Sequence, residues 1–269
     1  MKKIWLILIA LIITLSAAVY QKMTGPTYPK RIKIEINGKT YKFKLPRSHG
    51  GSDSAEVFLP IKDNEVQAVL LFKRYKADEE YTAVPFIRTE KGLVAKLPGQ
   101  PPAGKLEYYI EIDTSTGDKI IMPGKNAVVI RFKGEVPGLI LIFHVFFMFF
   151  AMFYANYAGI LAIANKDGFY RAAWIAFGLL FIGGMILGPI VQKYAFGEYW
   201  AGVPYGWDLT DNKTLIAFIT WIIALLINWK KRSRVAIIVA SLITILIFSI
   251  PHSMYGSELN YETGTIQQG

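Results

Sequence analysis

The sequence predicts a membrane-embedded α-helical bundle that carries an all-β sandwich domain outside the cytoplasm. Hydrophobic residues make up 53% of the chain, and the charged residues crowd into residues 21–136 and a few short loops. Residues 27–135 alternate apolar and polar side chains in short segments separated by turn residues, which is typical of β-strands. Five apolar stretches have about the length that a helix needs to cross a bilayer, at 4–20, 138–163, 171–191, 214–229 and 235–251.

The first apolar stretch fits two descriptions. Lys2 and Lys3 precede the apolar run Ile4 to Leu15, and the small residues Ser16 to Ala18 follow it. Residues 1–22 are therefore either an uncleaved signal anchor or a cleaved signal peptide. The bundle has five spans in the first case and four in the second. Both cases place the following residues outside the cytoplasm.

The distribution of basic residues predicts the orientation of the spans. With the N-terminus inside, the cytoplasmic segments carry eight basic residues: Lys2, Lys3, Lys166, Arg171, Lys230, Lys231, Arg232 and Arg234. The short outer loop and the tail carry only Lys193 and Lys213. The last four apolar stretches predict a four-helix transmembrane domain at 137–252 in the inner (plasma) membrane. Because basic residues concentrate on the cytoplasmic side, we expect the N-terminus to be cytoplasmic. The β domain and a tail at 253–269 are then extracytoplasmic.

The β domain begins with a strong hairpin signal. Asn37-Gly38 separates the alternating segments 31–36 and 39–45, and this dipeptide favours a tight β-turn. Six more candidate strands follow, at 55–61, 67–75, 82–89, 92–97, 105–113 and 126–132. Eight short strands at this spacing predict an antiparallel β-sandwich.

Two resemblances accompany these patterns. The segment Lys96 to Ile112, with a proline-rich turn before a tyrosine-bearing strand, resembles the end of a fibronectin-III or early-set immunoglobulin-like module. That resemblance implies a fold used mostly for binding, spacing or docking. The segments Gly206 to Lys213 and Ile250 to Leu259 are similar to uncharacterised bacterial inner-membrane proteins, a likeness that implies no particular activity.

Composition excludes several kinds of function. The absence of cysteine excludes disulfides, c-type haem attachment, thiolate zinc sites and cysteine nucleophiles. The chain has a net charge of +10, but residues 21–136 hold 20 basic residues interspersed with 14 acidic ones. This pattern is typical of an ordinary solvated surface, so we expect no nucleic-acid partner. The expected partners are the lipid bilayer and a protein outside the cytoplasm.

Two histidines in or at the membrane are candidate cofactor or metal ligands. On the predicted topology His144 and His252 both lie near the outer face, and ionisable residues at membrane depth suggest function. They could bind a b-type haem through two imidazoles, or copper with help from a methionine on the His144 face. In the alternative interpretation, His144 hydrogen-bonds to another helix and His252 caps the bundle.

The outer loop 193–214 also has two interpretations. Its tyrosines and tryptophans are typical of an aromatic belt at the membrane interface. The same loop could instead be a folded lid in which Asp208 or Asp211 is a hydrogen-bond partner or metal ligand. On the third span, Gly184 and Gly188 next to Gly183 predict close helix packing.

The sequence favours an accessory or scaffold protein whose β-sandwich docks an extracytoplasmic partner. The alternative is a membrane redox or metal protein with a site among His144, His252, Asp208 and Asp211. The sequence specifies no particular cofactor. A transporter is disfavoured, because paired interrupted helices and internal repeats are missing from the sequence.

Overall fold

The chain forms two compact units in a computed structural model that describes residues 3–114, 117–124, 126–251, 254 and 256–268. The helical unit comprises Met1–Pro26 and Val136–Gly256. The β unit comprises Thr27–Glu135 and Ser257–Gln267. The C-terminal segment therefore belongs to the β unit, although the last helices separate it from that unit in sequence.

The helical unit contains six α-helices and one π-helical segment within the described residues. They are α1 (Lys3–Thr24), α2 (Gly138–Ile163), α3 (Phe169–Leu180), the π segment (Phe181–Leu187), α4 (Gly188–Phe196), α5 (Leu209–Lys230) and α6 (Arg234–Ser249). In this described part of the chain, four helices have the length and apolar composition to cross a membrane: α1, α2, the continuous helix Phe169–Phe196, and α5. The apolar helix α6 has only 16 residues.

Helix α1 is packed into the unit through a buried face that recurs every three or four residues. That face consists of Leu6, Ala10, Thr14 and Ala17 and contacts α2 and α6. The Thr14 hydroxyl accepts a hydrogen bond of 3.0 Å from the buried amide of Asn156 on α2. Because a buried amide needs a partner in an apolar environment, this bond fixes α1 against α2.

The π segment ends two residues before Pro189. Proline has no N–H to donate, and its ring clashes with the carbonyl four residues earlier, here that of Met185. The helix widens at this point, and the N–H of Gly188 donates to the carbonyl oxygen of Gly183, five residues back.

Within the described residues, the β unit contains nine strands in the eight predicted segments and four others. The observed strands are β1 (Lys30–Ile36), β2 (Lys39–Leu45), β3 (Ser48–Gly50), β4 (Ala55–Leu59), β5 (Gln67–Arg74), β6 (Thr82–Pro85), β7 (Ile87–Thr89), β8 (Gly92–Leu97), β9 (Lys105–Asp113), β10 (Lys119–Met122), β11 (Val128–Lys133), β12 (Ser257–Leu259) and β13 (Ile266–Gln268). The predicted strand 82–89 is divided at Phe86, because β6 pairs with β5 and β7 pairs with β8 in another sheet.

The described strands of this unit form four sheets. β1 and β2 form an antiparallel hairpin, β4, β8 and β7 form a three-stranded sheet, and β12 and β13 form a second pair. The largest sheet has the order β3-β11-β9-β5-β6, with β10 also paired to β9. Strands β1, β2, β4 to β6 and β8 to β11 contribute side chains to one shared hydrophobic core. Sheets around a common core fit the predicted β-sandwich; the closer likeness to a fibronectin-III module stays a prediction.

Strand β9 is central to this core. It pairs with β5 along one edge and with β11 and then β10 along the other. Its alternate residues Leu106, Tyr108, Ile110 and Ile112 are fully buried. The period of two in burial follows directly from the pleat of a strand.

The C-terminal hairpin β12-β13 is attached to this unit by polar contacts. The buried guanidinium of Arg131 donates to the carbonyl oxygen of Ser257. The N–H of Leu259 donates to the carbonyl oxygen of Ala103 over 3.1 Å. The Tyr261 hydroxyl lies 3.0 Å from the carbonyl oxygen of Lys105, and burial raises the pKa of this tyrosine to about 12.

Glu258 forms the ionic part of the same attachment. Its carboxylate lies 2.5 Å from the ammonium of Lys105 and 3.3 Å from that of Lys76. Burial lowers the pKa of Lys105, and the hydrogen bond to Glu258 acts in the opposite direction. The half-buried ammonium therefore depends on Glu258 to remain charged at low energetic cost.

Replacing Glu258 by glutamine tests the strength of this attachment. We expect Glu258→Gln to lower the stability of residues 98–113 by about 1–3 kcal/mol, because the Lys105 ammonium loses its charged partner. Hydrogen–deuterium exchange of the full protein in detergent measures this as faster exchange in β9. The matched control is Glu262→Gln in the same hairpin, where the side chain is exposed. Equal protection in both variants would contradict an ionic attachment.

Candidate functional site

His144 on α2 is bound to the π segment. Its Nδ1 lies 2.9 Å from the carbonyl oxygen of Gly183. A carbonyl oxygen only accepts, so Nδ1 carries the proton, and in the neutral ring Nε2 then retains its lone pair. A histidine that binds a metal commonly has this arrangement, in which one nitrogen donates to the backbone and the other is the ligand. The alternative predicted from sequence, a hydrogen bond to another helix, is also satisfied by this contact.

The glycines of the π segment bring neighbouring helices close together. A Cβ atom on Gly183 would lie 2.9 Å from the Cβ of Phe147 and 3.1 Å from the backbone nitrogen of Met148. A Cβ on Gly184 would lie 2.7 Å from a methyl group of Thr214 on α5. The position of Gly188 is less restricted, since the nearest atom would be 3.6 Å away. Of these three glycines, Gly183 and Gly184 therefore make the tightest helix contacts.

Asp208 caps the N-terminus of α5. Its carboxylate accepts hydrogen bonds from the backbone N–H groups of Thr210 and Asp211, at 2.8 and 3.3 Å. These N–H groups have no partner within the helix, and an aspartate at this position satisfies them. The negative charge also lies at the positive end of the helix dipole.

Asp211 and Asn212 hold the preceding loop. The Asp211 carboxylate accepts from the N–H of Ala201 over 2.7 Å, and the Asn212 side chain accepts from the N–H of Val203 over 2.8 Å. Gly202 lies between these two anchor points, where a Cβ would be 2.8 Å from both Asn212 Oδ1 and Asp211 Cβ. Only glycine permits the loop backbone to come this near to the helix.

The loop that these residues hold, 197–208, exposes large aromatic side chains. Tyr205 is 83% exposed, Trp207 is 76% exposed and Tyr199 is 60% exposed. The Asp211 anchor is buried, whereas these three rings are exposed. Tyrosine and tryptophan displayed in this way suit either a membrane interface or a protein contact.

Lys213 is a buried functional group that we did not predict. Its side chain is 2% exposed, and its ammonium donates to the carbonyl oxygen of Ile250 over 2.8 Å. Gln21 at the end of α1 donates to the carbonyl oxygen of Phe248 over 2.7 Å. Together they satisfy carbonyl groups at the C-terminus of α6, just before Pro251. The sequence signals this role only by placing a lysine directly before the apolar stretch 214–229.

The structure brings some of the predicted site residues together. Asp208 and Asp211 are hydrogen-bonded neighbours, and the structure assigns both carboxylates to backbone N–H groups. His252 lies outside the described residues. Within the described ranges, no group of three or more histidine, aspartate or glutamate side chains could hold a metal ion. Ligation by His144, His252, Asp208 or Asp211 stays a prediction. Neither protein-family models nor the curated proteins give a match to this chain.

Alanine substitutions at two glycines of one helix test the packing of the π segment. We expect Gly183→Ala to lower the stability of the helical unit by about 1–3 kcal/mol, because the added Cβ would lie 2.9 Å from the Cβ of Phe147 on α2. The control is Gly178→Ala on α3, where a Cβ meets no atom within 4 Å. Thermal unfolding of the purified protein in detergent should separate the two variants; equal melting temperatures would contradict the close approach.

Asp211 provides a test of how the aromatic loop is held. Asp211→Ala removes the acceptor for the N–H of Ala201, and we expect loop opening to become about tenfold more frequent, which corresponds to about 1.4 kcal/mol. Asp211→Asn retains an oxygen acceptor and should restore most of the protection. Chymotrypsin cleavage within 197–208 measures the difference. Similar cleavage of the alanine and asparagine variants would show that this bond does not hold the loop.

Proposed function

We propose that the protein is a membrane-anchored scaffold whose β unit docks a protein partner outside the cytoplasm. The observation that supports this best is the attachment of residues 257–267 to the β unit. The chain passes between the two units three times, at 26–27, 135–136 and 256–257. Three connections restrict the movement of the β unit more than two would, and preorganisation of this kind favours docking.

The same attachment supports the proposed topology. A folded β unit cannot extend through a bilayer, so residues 27, 135 and 257 lie on one side. An even number of crossings must then separate 136 from 256. The spans α2, Phe169–Phe196 and α5 are three, so α6 is the fourth. At 1.5 Å per residue its 16 residues reach about 24 Å, and flanking residues cover the remainder of the hydrocarbon.

The basic residues support placing the β unit outside. On this topology the turns 164–168 and 231–233 lie on the side opposite the β unit. Lys230, Lys231, Arg232 and Arg234 are concentrated at the second of these turns, as expected for cytoplasmic loops. The hydrogen bond between Thr14 and Asn156 favours an uncleaved α1, because removal of α1 would leave the buried Asn156 amide without this acceptor.

The second candidate function is a membrane redox or metal protein. The specific observation in its favour is the contact between His144 Nδ1 and the carbonyl oxygen of Gly183, since a neutral ring that donates from Nδ1 keeps the lone pair of Nε2 for a ligand. A b-type haem bound there would give a Soret band in the purified, reduced protein that His144→Ala removes. A featureless visible spectrum without stoichiometric metal would contradict this candidate.

Docking can be tested by photo-crosslinking in intact membranes. A photoreactive amino acid at Ile87 or Ile121, which are 71% and 50% exposed on the β unit, should form a light-dependent adduct with the same protein. The matched control position is Lys231, an exposed residue of the turn on the opposite side. We expect this position not to capture that protein. An absence of protein adducts from every exposed position on the β unit would contradict the scaffold function.

A further inference from the structure

The hairpin β1-β2 carries the whole excess of positive charge of residues 27–135. Between residues 30 and 45 the chain has six basic residues and only Glu35 as an acidic one. Residues 46–135 contain 13 basic and 13 acidic residues, which cancel. The net charge of residues 27–135 is therefore not spread over the surface but is concentrated on two paired strands.

The cations of the hairpin share one exposed face. Ile36, Tyr41, Phe43 and Leu45 are buried in the core, and the alternate residues point the other way. The register places Arg31 opposite Lys44 and Lys33 opposite Lys42. All four side chains are exposed. We call this set of four the cationic ladder.

Direct opposition of like charges is unfavourable within the isolated protein. Residues directly opposite in an antiparallel pair have Cβ atoms about 4.5–5.5 Å apart, and like charges at that distance destabilise the pair. Among the residues that the structure describes, no carboxylate lies within 4.0 Å of any cation of the ladder. A dense negative surface would relieve this repulsion, since each lysine acts as a point charge toward a phosphate.

The position of the ladder in the chain favours a lipid surface as that partner. Only five residues, 25–29, separate the end of α1 from the start of β1. Among them is Tyr28, whose hydroxyl accepts a hydrogen bond of 2.7 Å from the guanidinium of Arg31. Tyrosine is favoured at the level of lipid headgroups. A juxtamembrane cluster of basic residues is attracted to anionic headgroups within about a Debye length.

We infer that the cationic ladder of Arg31, Lys33, Lys42 and Lys44 docks on anionic phospholipid headgroups of the membrane that α1 enters. Electrostatic attraction holds the exposed face of the hairpin against the headgroups. The opposite face of the hairpin stays packed in the core of the β unit. This lipid contact requires only that α1 crosses the membrane, so it stands or falls separately from the protein docking proposed above.

The experiment uses the absence of cysteine from the natural sequence. The single substitution Thr40→Cys, on the exposed face of β2, is labelled with a fluorophore in the full-length protein. The labelled protein is then reconstituted in nanodiscs. In phosphatidylcholine containing about 30% phosphatidylglycerol we expect an acrylamide quenching constant about twofold lower than in phosphatidylcholine alone. About 1 M NaCl, where the Debye length is about 3 Å, should abolish the difference. A fluorophore at Glu80→Cys, an exposed position between β5 and β6, should show no difference.

Charge variants identify the residues responsible. The ladder variant replaces all four cations by glutamine, and the protection should disappear. The control variant makes the same change at four exposed lysines elsewhere in the unit: Lys62, Lys91, Lys96 and Lys119. Protection should persist in this control.

Two outcomes would overturn the lipid contact. Equal quenching in both lipid compositions would overturn it. This comparison uses only the Thr40→Cys protein, so it does not depend on whether the ladder variant folds. Protection that appears only in native membranes and is independent of lipid charge would assign the ladder to a protein partner.

Discussion

The attachment of residues 257–267 to the β unit is the constraint on which the rest of this structure depends. Arg131, Lys105 and the loop before β9 all form bonds to a segment that follows the last helix. Because the β unit is one folded body, its N-terminal, central and C-terminal entries must lie on one side of a bilayer. The number of crossings between them is then even, and this supports our proposal that the 16-residue helix α6 is also a span.

The elements of regular structure were largely predictable from the sequence. Apolar runs and alternating segments mark the long helices and the eight main strands, since burial in lipid or on one face of a sheet imposes those periods. The strands β3, β10, β12 and β13 escaped prediction because they have only three or four residues each. The division of 82–89 between two sheets was signalled only by Pro85. The tertiary structure decides which strand a short edge segment pairs with, and its local sequence pattern does not reveal that pairing.

The candidate site was less predictable for a physical reason. The sequence identifies ionisable residues near the membrane, but it does not tell whether backbone N–H groups already occupy their oxygens. Asp208 satisfies the free end of α5, and Asp211 holds the aromatic loop. Lys213 has a comparable role at the end of α6. His144 differs from these residues, because its contact with the carbonyl oxygen of Gly183 uses one ring nitrogen, and in the neutral ring the other nitrogen keeps its lone pair. The Gly183 carbonyl belongs to the π segment that precedes Pro189.

Accessibility of single cysteines in intact cells tests the central constraint most directly. The natural chain has no cysteine, so Thr263→Cys in the C-terminal hairpin, Glu80→Cys in the β unit and Lys231→Cys in the α5-α6 turn each report one position. A membrane-impermeant maleimide should label the first two from outside and should label the third only after permeabilisation. Labelling of Thr263→Cys and Glu80→Cys from opposite sides of the membrane would contradict the attachment of the C-terminal segment and the topology derived from it.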